Sequence, residues 1–124
     1  MSIIFIIGLP ASGKTTLALQ RYPNHILIDD PRSKPILDLT KDYVITDSDL
    51  CKPKVFDVVK DLYPKAYYIF FINDPYQCSE NLKKRDDGRN ITSEYIYRLS
   101  YVYLPYIFSD LVQNKEIIEV YNGK

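Results

Sequence analysis

Nine residues, Gly8-Leu9-Pro10-Ala11-Ser12-Gly13-Lys14-Thr15-Thr16, follow directly on the apolar run Ile3-Ile4-Phe5-Ile6-Ile7, and their types and spacing describe a concave anion site. Glycines at both ends of the loop let the backbone take positive φ, so that successive N–H groups turn inward toward one point. Lys14 sets a point charge where the β- and γ-phosphates of a nucleoside triphosphate would lie, and Thr15 offers a hydroxyl to Mg²⁺. The helix opening at Gly13 adds the positive end of its dipole. A strand, a loop of this composition and a helix form a phosphate-binding loop. The ligands expected are therefore ATP and Mg²⁺, with Gly8, Pro10, Ala11, Ser12, Gly13, Lys14, Thr15 and Thr16 around the nucleotide and Thr15 on the metal.

Moving a phosphoryl group to a hydroxyl needs more than a cradle: a carboxylate for the attacking oxygen, a metal site, and cations over the transferring group. Asp29 or Asp30 could hold the acceptor hydroxyl, and Arg32 could anchor an anion on the same acceptor. Asp47 closes a hydrophobic run, where it could orient Lys14, Mg²⁺ or a metal-bound water. Lys83, Lys84, Arg85 and Arg89 cluster where a lid would lie, with Arg89 a further contact for the nucleotide. Each also has a plain structural reading: Asp-Pro pairs open turns, acids after strands cap helices, and basic residues suit helix C-termini.

These residues must be positioned by the elements between them. Lys14 to Arg21 reads as a short helix with Leu17 and Ala18 facing inward, and His25 to Ile28 as a buried parallel strand ended by Asp29-Asp30-Pro31. Tyr43 to Thr46 is a third strand leading into Asp47-Ser48-Asp49. Pro53 to Tyr63 repeats at helical spacing with Val55, Phe56, Val59 and Leu62 on one face. Tyr67 to Ile72 is a fourth strand, followed by a helix from about Tyr76 to Lys84. Thr92-Ser93-Glu94 opens a longer helix running through Leu99 to Tyr103, and Glu116 to Tyr121 is a fifth strand. Alternating strands and helices imply an α/β fold: a single domain over 1–124, a three-layer αβα sandwich around a five-stranded, mostly parallel sheet. Ligands in such folds bind at the carboxyl ends of the strands, where the loop, Asp29-Asp30 and Asp47-Ser48-Asp49 all lie.

Composition bounds the partners. The 124 residues are 46% hydrophobic, enough for one core, and sixteen basic residues balance sixteen acidic ones, so no global field draws in nucleic acid or a membrane. Nothing marks the chain for export or membrane insertion, which makes a cytoplasmic location the expectation. Cys51 and Cys78 lack metal-ligand spacing and read as ordinary thiols, and His25 reads as a turn residue. Twelve tyrosines, among them the Tyr95-Ile96-Tyr97 and Tyr101-Val102-Tyr103 runs, fit core and rim packing better than base stacking. Oligomeric state is left open.

The order Gly8 to Thr16, Asp29-Asp30-Pro31-Arg32, Val44-Ile45-Thr46-Asp47-Ser48-Asp49-Leu50 and a basic stretch ending in Arg85 resembles the kinase domain of bacteriophage-type polynucleotide 5′-hydroxyl kinases, relatives of the small P-loop kinases of the zeta-toxin and gluconate-kinase kind. The resemblance runs from the first strand to the helix near Tyr103. It implies a general base at Asp29, an acceptor-phosphate arginine at Arg32, a Walker-B-like aspartate at Asp47 and a lid arginine at Arg85. The sequence departs from that family twice. Asn81 stands where a second lid arginine is often found, and only Ser33 to Asp42 connects the second and third strands, where the family places helices that build its acceptor channel.

Three readings follow. The first is an ATP-dependent kinase acting on a polynucleotide 5′-hydroxyl, favoured by Asp29 with Arg32. The second is a small-molecule kinase acting on a nucleoside, nucleotide, sugar or antibiotic, favoured by the neutral charge. The third is a non-catalytic nucleotide-binding module, favoured by the short 33–42 connection.

Overall fold

Five consecutive buried aliphatic or aromatic residues, Ile3–Ile7, can be covered only by neighbours on both sides and both faces, and this strand, β1, lies at the centre of the sheet. In the computed structural model, which describes residues 2–29, 37–38, 40–85 and 91–122, β2 (Ile26–Asp29), β3 (Tyr43–Thr46), β4 (Tyr67–Phe71) and β5 (Asn114–Ile118) join it in the order β2-β3-β1-β4-β5. All the pairings are parallel, which sharpens the expectation of a mostly parallel sheet.

The helices are α1 (Lys14–Arg21), α2 (Pro53–Leu62), α3 (Pro75–Lys83), α4 (Ser93–Ser100) and α5 (Pro105–Ser109), with a 3-10 turn at Ser48–Cys51. The connection from β1 to β2 runs toward one edge and that from β3 to β4 toward the other, so right-handed crossovers put α1 and α2 on opposite faces. On the α2 face, Phe56 stacks on Phe108 of α5 and meets Tyr68 and Phe70 edge-on.

Several expectations are corrected. The strand after α1 is an edge strand, not a buried one: Ile26 and Asp29 at its ends are exposed because, among the described residues, no strand pairs beyond it. Leu62 ends α2 largely exposed at 60%. The long helix after Thr92 breaks at Tyr101–Leu104, where Pro105 cannot supply the N–H that a continuing helix needs. Tyr103 falls in that break, fully buried, and its hydroxyl donates to the carbonyl oxygens of Phe71 and Ile7, pinning the ends of β4 and β1 together. The last strand starts two residues earlier than expected, in register with Tyr67–Phe71, which frees residues 119–122 to turn back over the phosphate loop.

Candidate active site

Strand order reverses about β1, since β2 and β3 lie to one side and β4 and β5 to the other, and this opens a crevice at the carboxyl ends of the strands. A cavity of about 560 Å³ occupies it. Pro10, Ala11 and residues 13–16 line one wall; Asp29, Thr46, Asp47, Ser48 and Asp49 line another; Lys84, Arg85, Ile91 and Tyr95 close the far side. The structure thus brings Lys14, Thr15, Asp29, Asp47 and Arg85 to one space. Asp30, Arg32 and Arg89 lie outside the described residues.

The two glycines of the loop have different jobs. Gly13 sits at φ +107°, and a Cβ there would stand 2.7 Å from Tyr121 Cβ. Gly8 does not take positive φ, contrary to the expectation for both loop ends; the second left-handed residue is Ala11, at φ +64°. Gly8 is required by space, because a Cβ would lie 2.6 Å from Ser12 Oγ and 3.0 Å from Phe71 Cβ. Gly8 and Ser12 therefore shape the loop from beneath rather than line the cavity. The Ser12 hydroxyl is buried and has no hydrogen-bond partner among the described residues.

Lys14 follows the Gly13 cap at the first turn of α1. Its Nζ donates to Gly8 O at 3.1 Å, Leu9 O at 3.0 Å and Ser48 Oγ at 3.0 Å, three acceptors for three protons. Burial pushes the ammonium pKa below its ordinary value, with the Asp29 carboxylate working against that shift and Arg85 adding to it. Ser48 is a site residue that the sequence reading passed over; its signal is a hydroxyl just beyond the end of a central strand.

Asp29 is the last residue of β2 and pairs in register with Thr46, the last residue of β3. Thr46 Oγ1 donates to Asp29 Oδ1 at 2.6 Å, and Thr15 Oγ1 donates to Asp29 Oδ2 at 3.2 Å. Sheet register and the first turn of α1 thus fix both carboxylate oxygens beside the phosphate loop. Asp47 caps the 3-10 turn, accepting from Asp49 N at 2.8 Å, while Asp49 pairs with Lys52 at 3.2 Å.

The donor set suits Mg²⁺. Thr15 and Asp29 offer hard oxygens side by side, and this ion commonly takes one or two protein oxygens and completes its shell with phosphate and water. Gly13 and Ala11 turn the loop by their positive φ, and a side chain at Gly13 would force Tyr121 away from it. Among the described residues, no helix is long and apolar enough to cross a membrane.

No protein-family model matches the sequence, and no curated protein matches it. Among solved structures the chain is similar to the crystal structure of a gluconokinase from Sinorhizobium meliloti 1021, with a TM-score of 0.56 and 14% identity over 96% of this chain and 82% of that one. At that identity the likeness is one of fold: an α/β domain arranged as that gluconokinase's is. It does not single out polynucleotide kinases.

Proposed function

We propose that the protein is a phosphotransferase that moves the γ-phosphate of ATP to an alcohol, with a small polyhydroxylated molecule as the acceptor. The observation that carries this reading is Asp29, whose carboxylate is held 3.2 Å from the hydroxyl of Thr15 at the mouth of the loop. A carboxylate there could serve Mg²⁺ in a cradle that only binds nucleotide; a transfer reaction needs it as well, because the attacking hydroxyl must lose its proton as the bond to phosphorus forms. Asp29 would accept that proton. The bond between the γ-phosphorus and the bridging oxygen breaks, the ADP oxygen leaves, and Lys14 and Arg85 offset the charge on the phosphoryl oxygens. Mg²⁺, held by Thr15 with Asp29 close by, supplies further neutralisation when bound.

The small acceptor is supported by what stands next to Asp29. Thr46 meets the carboxylate directly, and Asp47 and Ser48 line the same cavity, hydroxyls and a carboxylate suited to a polyol. The fold likeness to a gluconokinase points the same way. A polynucleotide 5′-hydroxyl is the second reading, favoured by the position of Asp29 at the head of the Asp-Asp-Pro-Arg segment. The protein incubated with labelled ATP, Mg²⁺ and a panel of sugars, nucleosides and 5′-hydroxyl oligonucleotides should label a small polyol. Label on oligonucleotides alone favours the second reading, and ATP binding without transfer to anything in a broad panel refutes the enzyme.

A further inference from the structure

Asn81, the residue that departs from the lid arginine of the resembled family, spends its whole amide on backbone and helix. Its Nδ2 donates to Ala11 O at 2.9 Å and also to Tyr121 O, and its Oδ1 accepts from Gln77 Nε2 at 2.9 Å. The two carbonyls belong to segments far apart in sequence. Ala11 is the crest of the phosphate loop and sits at φ +64°, a conformation that a residue with a Cβ holds only when its surroundings impose it. Tyr121 follows β5, and its N–H donates to Ser12 O at 3.0 Å, while its Cβ sits over Gly13. Loop, α3 and the segment after β5 therefore close a ring of hydrogen bonds, with Asn81 supplying two of them. Four residues further along the chain comes Arg85, on the rim of the same cavity.

We propose that Asn81 is a positioning residue: it locks the crest of the phosphate loop and seats Tyr121 against it, tying the nucleotide cradle to the helix that delivers Arg85. A neutral amide is the group this place requires, since it alone carries two protons for two carbonyls and an acceptor for Gln77 without bringing a charge under the loop. An ordered cradle binds without first organising itself, and that advantage falls on the phosphates whatever the nucleobase.

The inference rests on the nucleotide reading, so the test starts with the wild type. Titration calorimetry with Mg²⁺-tripolyphosphate and with Mg²⁺-ATP should give binding of both. Asn81→Ala and Asn81→Asp, the second isosteric but without donors, should weaken both ligands alike, roughly ten- to a hundredfold for the two hydrogen bonds lost. The KM for ATP should rise by a similar factor while kcat falls less. Gln77→Ala, which removes only the bond that orients the amide, should shift both affinities in the same direction by a smaller factor and serves if the Asn81 variants fail to fold. Asn81→Gln, which keeps both protons, should recover part of the loss. Wild-type affinity for tripolyphosphate in folded Asn81→Ala and Asn81→Asp, or a loss confined to ATP, overturns the inference alone. A wild type that binds neither ligand overturns the nucleotide reading, and the inference falls with it.

Discussion

Replacing Asp29 with asparagine separates chemistry from architecture. Among the described residues, the carboxylate accepts two hydroxyl hydrogen bonds, from Thr46 at 2.6 Å and Thr15 at 3.2 Å. Asparagine can keep both: its oxygen accepts from Thr46, and its NH₂ donates to Thr15 once that hydroxyl turns its proton away. The expected cost in stability is under about 1 kcal/mol. What asparagine cannot do is take a proton, and removing a general base costs about 10²–10⁴ in rate, or about 3–5 kcal/mol of transition-state stabilisation. Asp29→Ala adds a structural penalty, because the fully buried Thr46 loses its partner. Such an orphan costs about 1–3 kcal/mol, a melting shift of several degrees for a domain of this size. Steady-state kinetics, ATP calorimetry and thermal melts on the two variants distinguish the contributions. Expected is a kcat for Asp29→Asn down at least a hundredfold, with ATP affinity and melting temperature close to wild type. If ATP affinity falls as far as kcat, the carboxylate serves the metal and not the acceptor; an unchanged kcat removes it from the mechanism.

The space under the loop and the link between α1 and the far edge of the sheet give two more tests. Gly8→Ala should destabilise by about 1–3 kcal/mol through its contacts with Ser12 Oγ and Phe71 Cβ. Ser12→Ala should be near neutral, and in the double variant it should relieve part of the Gly8→Ala cost; strict additivity of the melting shifts would refute the contact. Arg21 donates to Glu116 at 2.7 Å and Tyr67 donates to the same oxygen at 3.0 Å, and with Arg21 the larger cause, these bonds hold the Glu116 pKa below its usual 4.5. A depressed carboxyl pKa adds stability above the unfolded value and loses it as pH falls through the folded one, so Glu116→Gln should flatten the stability profile below about pH 4.5. Because both side chains are partly exposed, the effect at neutral pH should stay under about 1 kcal/mol, and an unaltered acid limb in chemical denaturation would exclude the link.

The strands were legible because their composition is extreme. Ile3–Ile7, Tyr43–Thr46 and Tyr67–Phe71 are nearly continuous apolar runs, each ended by polar residues, and their structural bounds differ from the sequence reading by at most one residue. The turn from β1 through Gly8–Gly13 into α1 was legible because its spacing is chemical. What the sequence hid depends on tertiary contact. The helix after Thr92 keeps helical periodicity through Tyr103, yet Tyr103 turns inward to serve two strand carbonyls. Gly8 reads like Gly13 in one dimension and differs in three, since only neighbours 4 and 63 residues away decide what a Cβ would meet. Asn81 and Ser48 gain their roles from partners 70 and 34 residues distant, beyond the reach of any local motif.

The place of Asp29 depends finally on the pairing of the strand beside it. All four residues of β3 are buried, and their register is paired on both sides, Tyr43–Thr46 against Ile3–Ile6 of β1 and against Ile26–Asp29 of β2. With register fixed, Thr46 must stand opposite Asp29, so its hydroxyl meets the carboxylate. Thr15 is brought to the second oxygen by the loop that β1 feeds into α1. The exposed edge strand thus carries the proposed general base on its last residue and borrows its precision from the buried strand beside it. A cavity-forming change within β3, such as Ile45→Ala, should therefore lower kcat as well as melting temperature, although Ile45 lines no part of the cavity; a folded variant with wild-type kcat would show that the place of Asp29 does not depend on the packing of β3.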